Sequence, residues 1–273
     1  MSDTRFDRDT AVRALGDGEF EATIDRGWWI VVGPNGGYVA AIVTRALQAA
    51  VGDAERTPRS LTDHYVSPAR EGSVRIRTRI ERAGRNLSTL SARMEQDGRL
   101  IVTALAAFAR ARPSPEFADL RMPEVPPPDA VPRMAVGADR AASLRAQLDS
   151  RIVFGEPMRA TQPRALAGGW LRLVEPRTLD FPQLAMFCDA WPPAVAQHRA
   201  MADREPGGMP TVDLTIHFRG DIPTDARPDD FYLAVFRSQT LSAGFAEEDG
   251  EIWTRGGRLL AHSRQLAMVI ARD

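Results

Sequence analysis

Lysine is missing from this chain. All 35 basic residues among its 273 are arginine, set against 36 acidic ones, for a formal net charge of −1. A chain so nearly neutral carries no overall field to draw nucleic acid or an acidic membrane. Arginine suits bidentate phosphate contacts, but its exclusive use reads as genome composition before chemistry. Cysteine is almost missing as well: Cys188 stands alone, so no intramolecular disulfide can form. The four histidines, His64, His198, His217 and His262, are scattered, and no HxxxH or CxxC spacing offers a metal site. No GxSxG elbow, P-loop or GxGxxG occurs, which sets those hydrolase and nucleotide-loop chemistries aside. No apolar run approaches the roughly 18 residues of a membrane span. The opening MSDTRFDRDT also lacks the apolar core of a signal peptide. The expectation is a soluble, cytoplasmic protein.

What is present is an internal echo. DGRLIVTALAAFA (97–109) and GGRLLAHSRQLAMVI (256–270) align at a constant offset of 159 residues, Gly98-Arg99-Leu100 falling on Gly257-Arg258-Leu259. Each run opens on a turn-forming Gly and continues without Pro, long enough for a strand. Hydrophobic content of 44% is ample for a core, and the length suggests about two domains of roughly 150 residues each. Two like strands closing two halves suggest a duplicated domain. The echo breaks at one place. Alternation in the second copy puts Leu259, Ala261, Ser263, Gln265, Ala267 and Val269 on one face, with His262 and Arg264 on the other. Gln265 is therefore a large polar group among small and apolar residues, where the first copy has Ala106. A buried amide without partners costs a few kcal/mol, so the asymmetry marks a candidate site.

In chain order, FEATIDRGWWIVV (20–32) reads as a strand region turning at Asp25-Arg26-Gly27. GPNGG (33–37) then precedes YVAAIVTRALQAAV (38–51), apolar almost all round and so a buried helix. Strands follow at 60–68, 73–82, 86–96 and from Arg99. In the second of these Val74, Ile76 and Ile80 oppose Arg75, Arg77 and Arg79, an arginine face that reads as solvated sheet surface or, alternatively, as a phosphate-steering one. Residues 112–150 are too rich in proline for a helix or a central strand, and predict an extended linker with a short helix at 139–150. Then the order recurs: a strand at 168–175, a helical region at 182–202 interrupted by Pro192-Pro193, and strands at 211–220, 231–238, 242–254 and 256–270. Twice β-α-β-β-β-β around one long helix places the chain in the α+β class, with an antiparallel sheet. The division expected is 1–111, a linker at 112–150, and 151–273.

Three stretches carry candidate chemistry, each with a plainer reading beside it. GPNGG is either a helix-start turn or a place where the free N–H groups of Gly36 and Gly37 hold an oxyanion or phosphate. Asp189, in MFCDAWPPAV, is either an N-cap before a restarted helix or a partly shielded carboxylate able to act as general base. Thr211 opens TVDLTIHFRG, where alternation groups it with Asp213, Thr215 and His217, opposite Val212, Leu214, Ile216 and Phe218. By pattern alone it is an ordinary strand-end residue.

Together these residues resemble the TesB-like acyl-CoA thioesterases, a double-hotdog family. The likeness covers nearly the whole chain outside the linker. It rests on the Gly-Gly before the buried helix, on RNLSTLSARMEQDGRLI, and on the Asp of FCDAWPP, the Thr of TVDLTIHFR and the Gln of HSRQL. The resemblance implies that Asp189, Thr211 and Gln265 are catalytic, that Gly36 and Gly37 contact the oxyanion or CoA, and that there is one active site per chain. It also implies hydrolysis of an acyl-CoA to a free acid and CoA without a cofactor or metal, an acyl chain lying along the apolar helix, and a homo-oligomer. Two departures stand out: the double proline after Asp189, and the missing Gln in the first half. Two alternatives stay open. One is a non-catalytic acyl-CoA or lipid-binding protein of the same fold. The other is a 2-enoyl-CoA hydratase, whose Asp-x-Asn-Pro-x-His segment would need a histidine where this chain has Ala194.

Overall fold

Apolar on every side, the segment after GPNGG becomes α2 (Gly36–Val51), at 16 residues the longest helix among those described, with Tyr38 to Thr44, Ala46 and Leu47 all buried. Its start is fixed by Asn35, whose side chain accepts the Tyr38 N–H at 3.0 Å. Its end is fixed by Gly52, which turns left-handed at φ 62°, a conformation glycine adopts without steric cost. The computed structural model describes residues 4–30, 33–137, 143–156, 159–202 and 206–271.

Around α2 lie a short α1 (Arg5–Asp9) and strands β1 (Arg13–Gly16), β2 (Glu19–Ile24), β3 (Thr57–Tyr65), β4 (Gly72–Ala83), β5 (Leu87–Gln96) and β6 (Arg99–Ala109). After the proline-rich stretch come α3 (Leu144–Gln147), β7 (Leu148–Phe154), β8 (Ala165–Leu173), α4 (Phe181–Phe187), β9 (Pro206–Gly208) and β10 (Thr211–Phe218). Then follow β11 (Tyr232–Ser238), β12 (Leu241–Ser242), β13 (Phe245–Thr254), β14 (Leu259–Met268) and β15 (Ile270–Ala271). One antiparallel sheet runs β1-β2-β4-β5-β6-β3-β10-β14-β13-β11-β8-β7, with β12 on the side of β13, while β15 and β9 form a separate pair. Read outward from its middle, each half of that sheet repeats the same order. The halves join where β3 meets β10, with Thr62 and Thr215 facing each other at 3.1 Å between hydroxyls. Helices α2 and α4 pack together against the inner face, and one hydrophobic core runs through both halves.

The duplication read from the echo is present in the turns as well: Gly98 and Gly257 are both left-handed, at φ 76° and 82°. Several details differ from the sequence reading. The repeat is β-β-α-β-β-β-β, because edge strands β1 and β7 precede the strands that were legible. The helix expected at 139–150 is only four residues long; its end is strand β7, and residues 139–142 lie outside the described part. The strand region at 20–32 stops at Ile24 and gives way to a 3-10 turn at Arg26–Trp28, with Val31 and Val32 outside the described residues. The second helical region ends at Phe187, before the double proline, and continues only as 3-10 turns at Ala194–Gln197 and Arg199–Met201. Ile80, grouped with Val74 and Ile76, is 49% exposed, since the far end of β4 runs past the cover of the core. The arginine face of β4 is ion-paired and solvated: Arg77 bridges Glu19 and Glu95.

The proline-rich stretch is extended but not loose. Met122, Val125 and Val131 pack with Trp170, Leu233, Val235 and Trp253 as a second, smaller core. Trp170 Nε1 donates to Pro126 O at 2.9 Å and Arg151 Nη1 to Pro128 O at 2.7 Å. Proline suits this strap because the segment meets the domain through its carbonyls and side chains, so missing N–H groups cost nothing there.

Candidate functional site

The two halves meet at a point where the start of α2 faces the end of α4. Asp189 follows the last turn of α4, and it caps no helix of its own half. Asp180 caps α4 by accepting the Gln183 N–H, and Pro193 precedes the next 3-10 turn without a side-chain cap. Instead Asp189 reaches across to α2. Its Oδ2 accepts the Gly37 N–H and the Asn35 Nδ2–H, both at 2.9 Å, while Asn35 Nδ2 also donates to the Asp189 carbonyl at 2.7 Å. Only glycine fits that contact. A Cβ on Gly37 would stand 2.6 Å from the Met186 carbonyl oxygen, and one on Gly36 would stand 2.9 Å from Asp189 Oδ2. The N–H groups of Gly36 and Gly37, read from the sequence as donors to an oxyanion or CoA, face the carboxylate here: that of Gly37 is used by it, and that of Gly36 also favours its charged form.

Thr211 and Gln265 come together on neighbouring strands, the threonine hydroxyl donating to Gln265 Oε1 at 2.9 Å. Strict alternation would have kept Thr211 on the other face, because Leu214 is the residue paired with Gln265. A bulge intervenes. Thr211 pairs with Ala267 and Asp213 with Leu266, so Val212 is an extra residue on β10 that turns Thr211 to the Gln265 side.

Behind Gln265 stands a residue the sequence reading passed over. Gln265 Nε2 donates to Glu248 Oε1 at 2.7 Å, and Glu248 Oε2 accepts the Ala194 N–H at 2.5 Å. Glu248 was hidden in the acidic run AEEDGE, although Ala246, Gly250 and Ile252 share its face and are buried with it. The first half holds none of this. Its matching bulge at Pro58/Ser60 presents Pro58 where the second half has Thr211, and its paired Leu90 and Ala106 stand where Glu248 and Gln265 pair. The polar group is built once.

Burial pushes the Asp189 carboxyl up to about 6, against the hydrogen bonds from Gly37 N–H, Gln265 and Asn35 that favour its charge. Burial likewise pushes Glu248 up to about 7, opposed by the Ala194 N–H and Gln265 and reinforced by the charge of Asp189. A third carboxylate, Asp63 on β3, lies on the same face one strand beyond Leu214. It is wholly buried with no hydrogen-bond partner on either oxygen, and burial lifts it to about 8. Two residues along, Tyr65 donates its hydroxyl to the Gly36 carbonyl at 2.8 Å, tying β3 to the start of α2. Among the described residues no group of three or more His, Cys, Asp and Glu side chains is arranged to hold a metal ion. No helix among them is long and apolar enough to cross a membrane.

The site is thus a raised carboxyl beside a hydroxyl–amide pair at a helix start. Residues 25–109 match the acyl-CoA thioesterase N-terminal domain and residues 122–269 the acyl-CoA thioesterase C-terminal domain. No curated protein sequence matches the chain. Among solved structures, a conserved hotdog-fold protein of unknown function from Alicyclobacillus acidocaldarius is similar at 30% identity. It covers 99% of each chain, with a TM-score of 0.86. The acyl-CoA thioesterase II TesB2 of Mycobacterium marinum superposes at a TM-score of 0.78 and 22% identity, over 98% of this chain and 99% of its own. The dehydratase domain of RzxB from Pseudomonas fluorescens is a more distant likeness, with a TM-score of 0.55 and 15% identity over 93% of this chain and 94% of its own, so the fold alone does not select the reaction. With both of its halves matched in order, and with the double-hotdog sheet described above, this chain belongs to the acyl-CoA thioesterase family.

Proposed function

We propose that the chain hydrolyses an acyl-CoA to the free acid and CoA, with Asp189 as general base and Thr211 and Gln265 holding the attacking water. The observation that carries this reading is the carboxyl of half-buried Asp189, raised to about 6 and fixed on α2, in one constellation with the Thr211–Gln265 hydrogen bond. At neutral pH a base so placed is mostly ionised yet close enough in pKa to accept a proton, the condition general-base catalysis needs. Because the Thr211 hydroxyl donates to Gln265 Oε1, its lone pairs are left to accept a hydrogen from the water. The second Gln265 N–H, which supports the Asp189 carboxylate, passes to the water oxygen when water enters between them. The water oxygen bonds to the thioester carbonyl carbon as its proton passes to Asp189. The carbon–sulfur bond then breaks, and the departing thiolate takes that proton to become the CoA thiol. Base assistance of this kind supplies roughly 10²–10⁴ in rate.

The hydratase alternative needs a histidine where Ala194 stands. That residue is buried and contributes only its backbone N–H, to Glu248. The test is release of free thiol from a panel of acyl-CoAs differing in chain length and polarity. Turnover well above the buffer rate with at least one of them is expected. Tight binding of acyl-CoA with no thiol release from any would reject hydrolysis in favour of a binding protein.

A further inference from the structure

We infer that Glu248 is a positioning residue for this hydrolysis, holding the Gln265 amide the right way round for the water. The inference rests on the thioesterase reading and adds a residue to it. A glutamine side chain has two nearly isosteric ends, and its environment decides which is which. Thr211 cannot decide, because a hydroxyl both donates and accepts. An ionised carboxylate only accepts, so above about pH 7 Glu248, 2.7 Å away, draws Nε2 toward itself and leaves Oε1 toward Thr211. Were the amide reversed, its oxygen would meet the carboxylate, and no Gln265 N–H would be left on the Glu248 side to hold it.

Glu248 is itself pinned. Its second oxygen takes the Ala194 N–H at 2.5 Å. Pro192 and Pro193 have no N–H, so Ala194 carries the first free donor after Trp191. The double proline is thus part of the site: it ends the helical run and presents that donor to β13. The first half has Leu90 and Ala106 in the matching pair, so neither the amide nor its anchor is there.

Removing the charge of Glu248 should be visible at Asp189. The groups facing Asp189 are Asn35, the Gly36 and Gly37 N–H groups, Gln265, and the titratable Glu248, Tyr65 and Cys188. Those facing Glu248 are Asp189, its neighbour Glu247, Gln265 and the Ala194 N–H. Tyr65 and Cys188 are both raised, first by burial, and stay neutral across the working range, so Glu248 is the anion whose loss Asp189 would register.

The experiment is Glu248→Gln, with Glu248→Leu as a second variant that copies Leu90 and suits an apolar core. Each is measured for kcat, KM and the pH profile of kcat/KM. A neutral amide no longer dictates the orientation of Gln265, so kcat is expected to fall by about tenfold with KM within roughly twofold. Asp189, relieved of a like charge, is expected to ionise more easily, moving the acid limb to lower pH by about half a unit or more. The same shift should appear in carboxyl ¹³C NMR titration of Asp189, which needs no turnover. Loss of activity with an unmoved acid limb and an unmoved Asp189 titration would assign Glu248 to stability alone and overturn the inference. So would wild-type kcat in either folded variant. Absence of hydrolysis by the wild type is a different failure, of the thioesterase reading itself, and the NMR titration would still decide the coupling.

Discussion

Asp189→Asn is expected to lower kcat for acyl-CoA hydrolysis by about 10²-fold or more while KM stays within roughly twofold. Asparagine keeps the size of the side chain and an oxygen able to accept the Gly37 N–H, but it cannot take a proton from water. The loss is therefore confined to the transition state. Stability is the control, because Asp189 also caps α2 from the other half of the molecule. Asparagine caps about as well as aspartate. The folded-state pKa of Asp189, about 6, is above the ordinary 3.8, so the native state binds more protons between those values and stability falls as pH rises through that window. Above pH 6 the ionised carboxylate is thus a burden on the fold, and its removal should leave the variant no less stable than wild type at neutral pH. A folded Asp189→Asn protein with kcat within twofold of wild type would mean that the residue is a helix cap and nothing more.

Wild-type protein is expected to lose about 2 kcal/mol of stability between pH 6 and pH 8 on account of Asp63, and Asp63→Asn is expected not to. The side chain is wholly buried with neither oxygen hydrogen-bonded, so it is held as the neutral acid until about pH 8, whereas in the unfolded chain it ionises near 3.8. Across that interval the native state carries the extra proton. Stability due to this group is complete below pH 3.8 and is lost as pH rises through 8, at about 1.4 kcal/mol per pH unit. Asp189 and Glu248 add to the same slope at lower pH, with midpoints near 6 and 7. The difference between wild type and Asp63→Asn is therefore cleanest from pH 7 to pH 8. Chemical denaturation at those two values measures it; parallel stability curves for the two proteins would show that Asp63 does not hold a proton in the fold.

The parts of the fold legible in sequence were those governed by local period and by repetition. The all-round apolar pattern of 38–51 could only be a buried helix, and the offset of 159 residues between two strands revealed the duplication that the sheet order repeats. Gln265 stood out because its counterpart Ala106 lies in the same register of the other half. Strand β7 was not legible: Leu144 and Leu148 lie four apart, as on a helix, and only its pairing with β8 makes the second half of that stretch extended. Thr211 was assigned to the wrong face because a bulge is a property of two paired strands, and alternation on one strand cannot show it. Glu248 sits in an acidic run with nothing local to mark it; what distinguishes it is an amide on the next strand and an N–H from 54 residues away. The hold of Asn35 and Gly37 on the Asp189 carboxylate was invisible for the same reason, since their partner is more than 150 residues off in sequence.

The pH dependence of kcat/KM of the wild-type protein, from pH 4.5 to 8 with an acyl-CoA it turns over, bears most directly on the site. With Asp189 as the proposed base, activity follows its ionised form, and burial holds that carboxyl at about 6. The expected profile therefore rises through a main inflection near pH 6, about two units above an ordinary aspartate, followed by a smaller rise near 7 as Glu248 ionises and fixes Gln265. A rate that stays flat down to pH 4.5, or that climbs only with an inflection well above 7, would contradict Asp189 as the base.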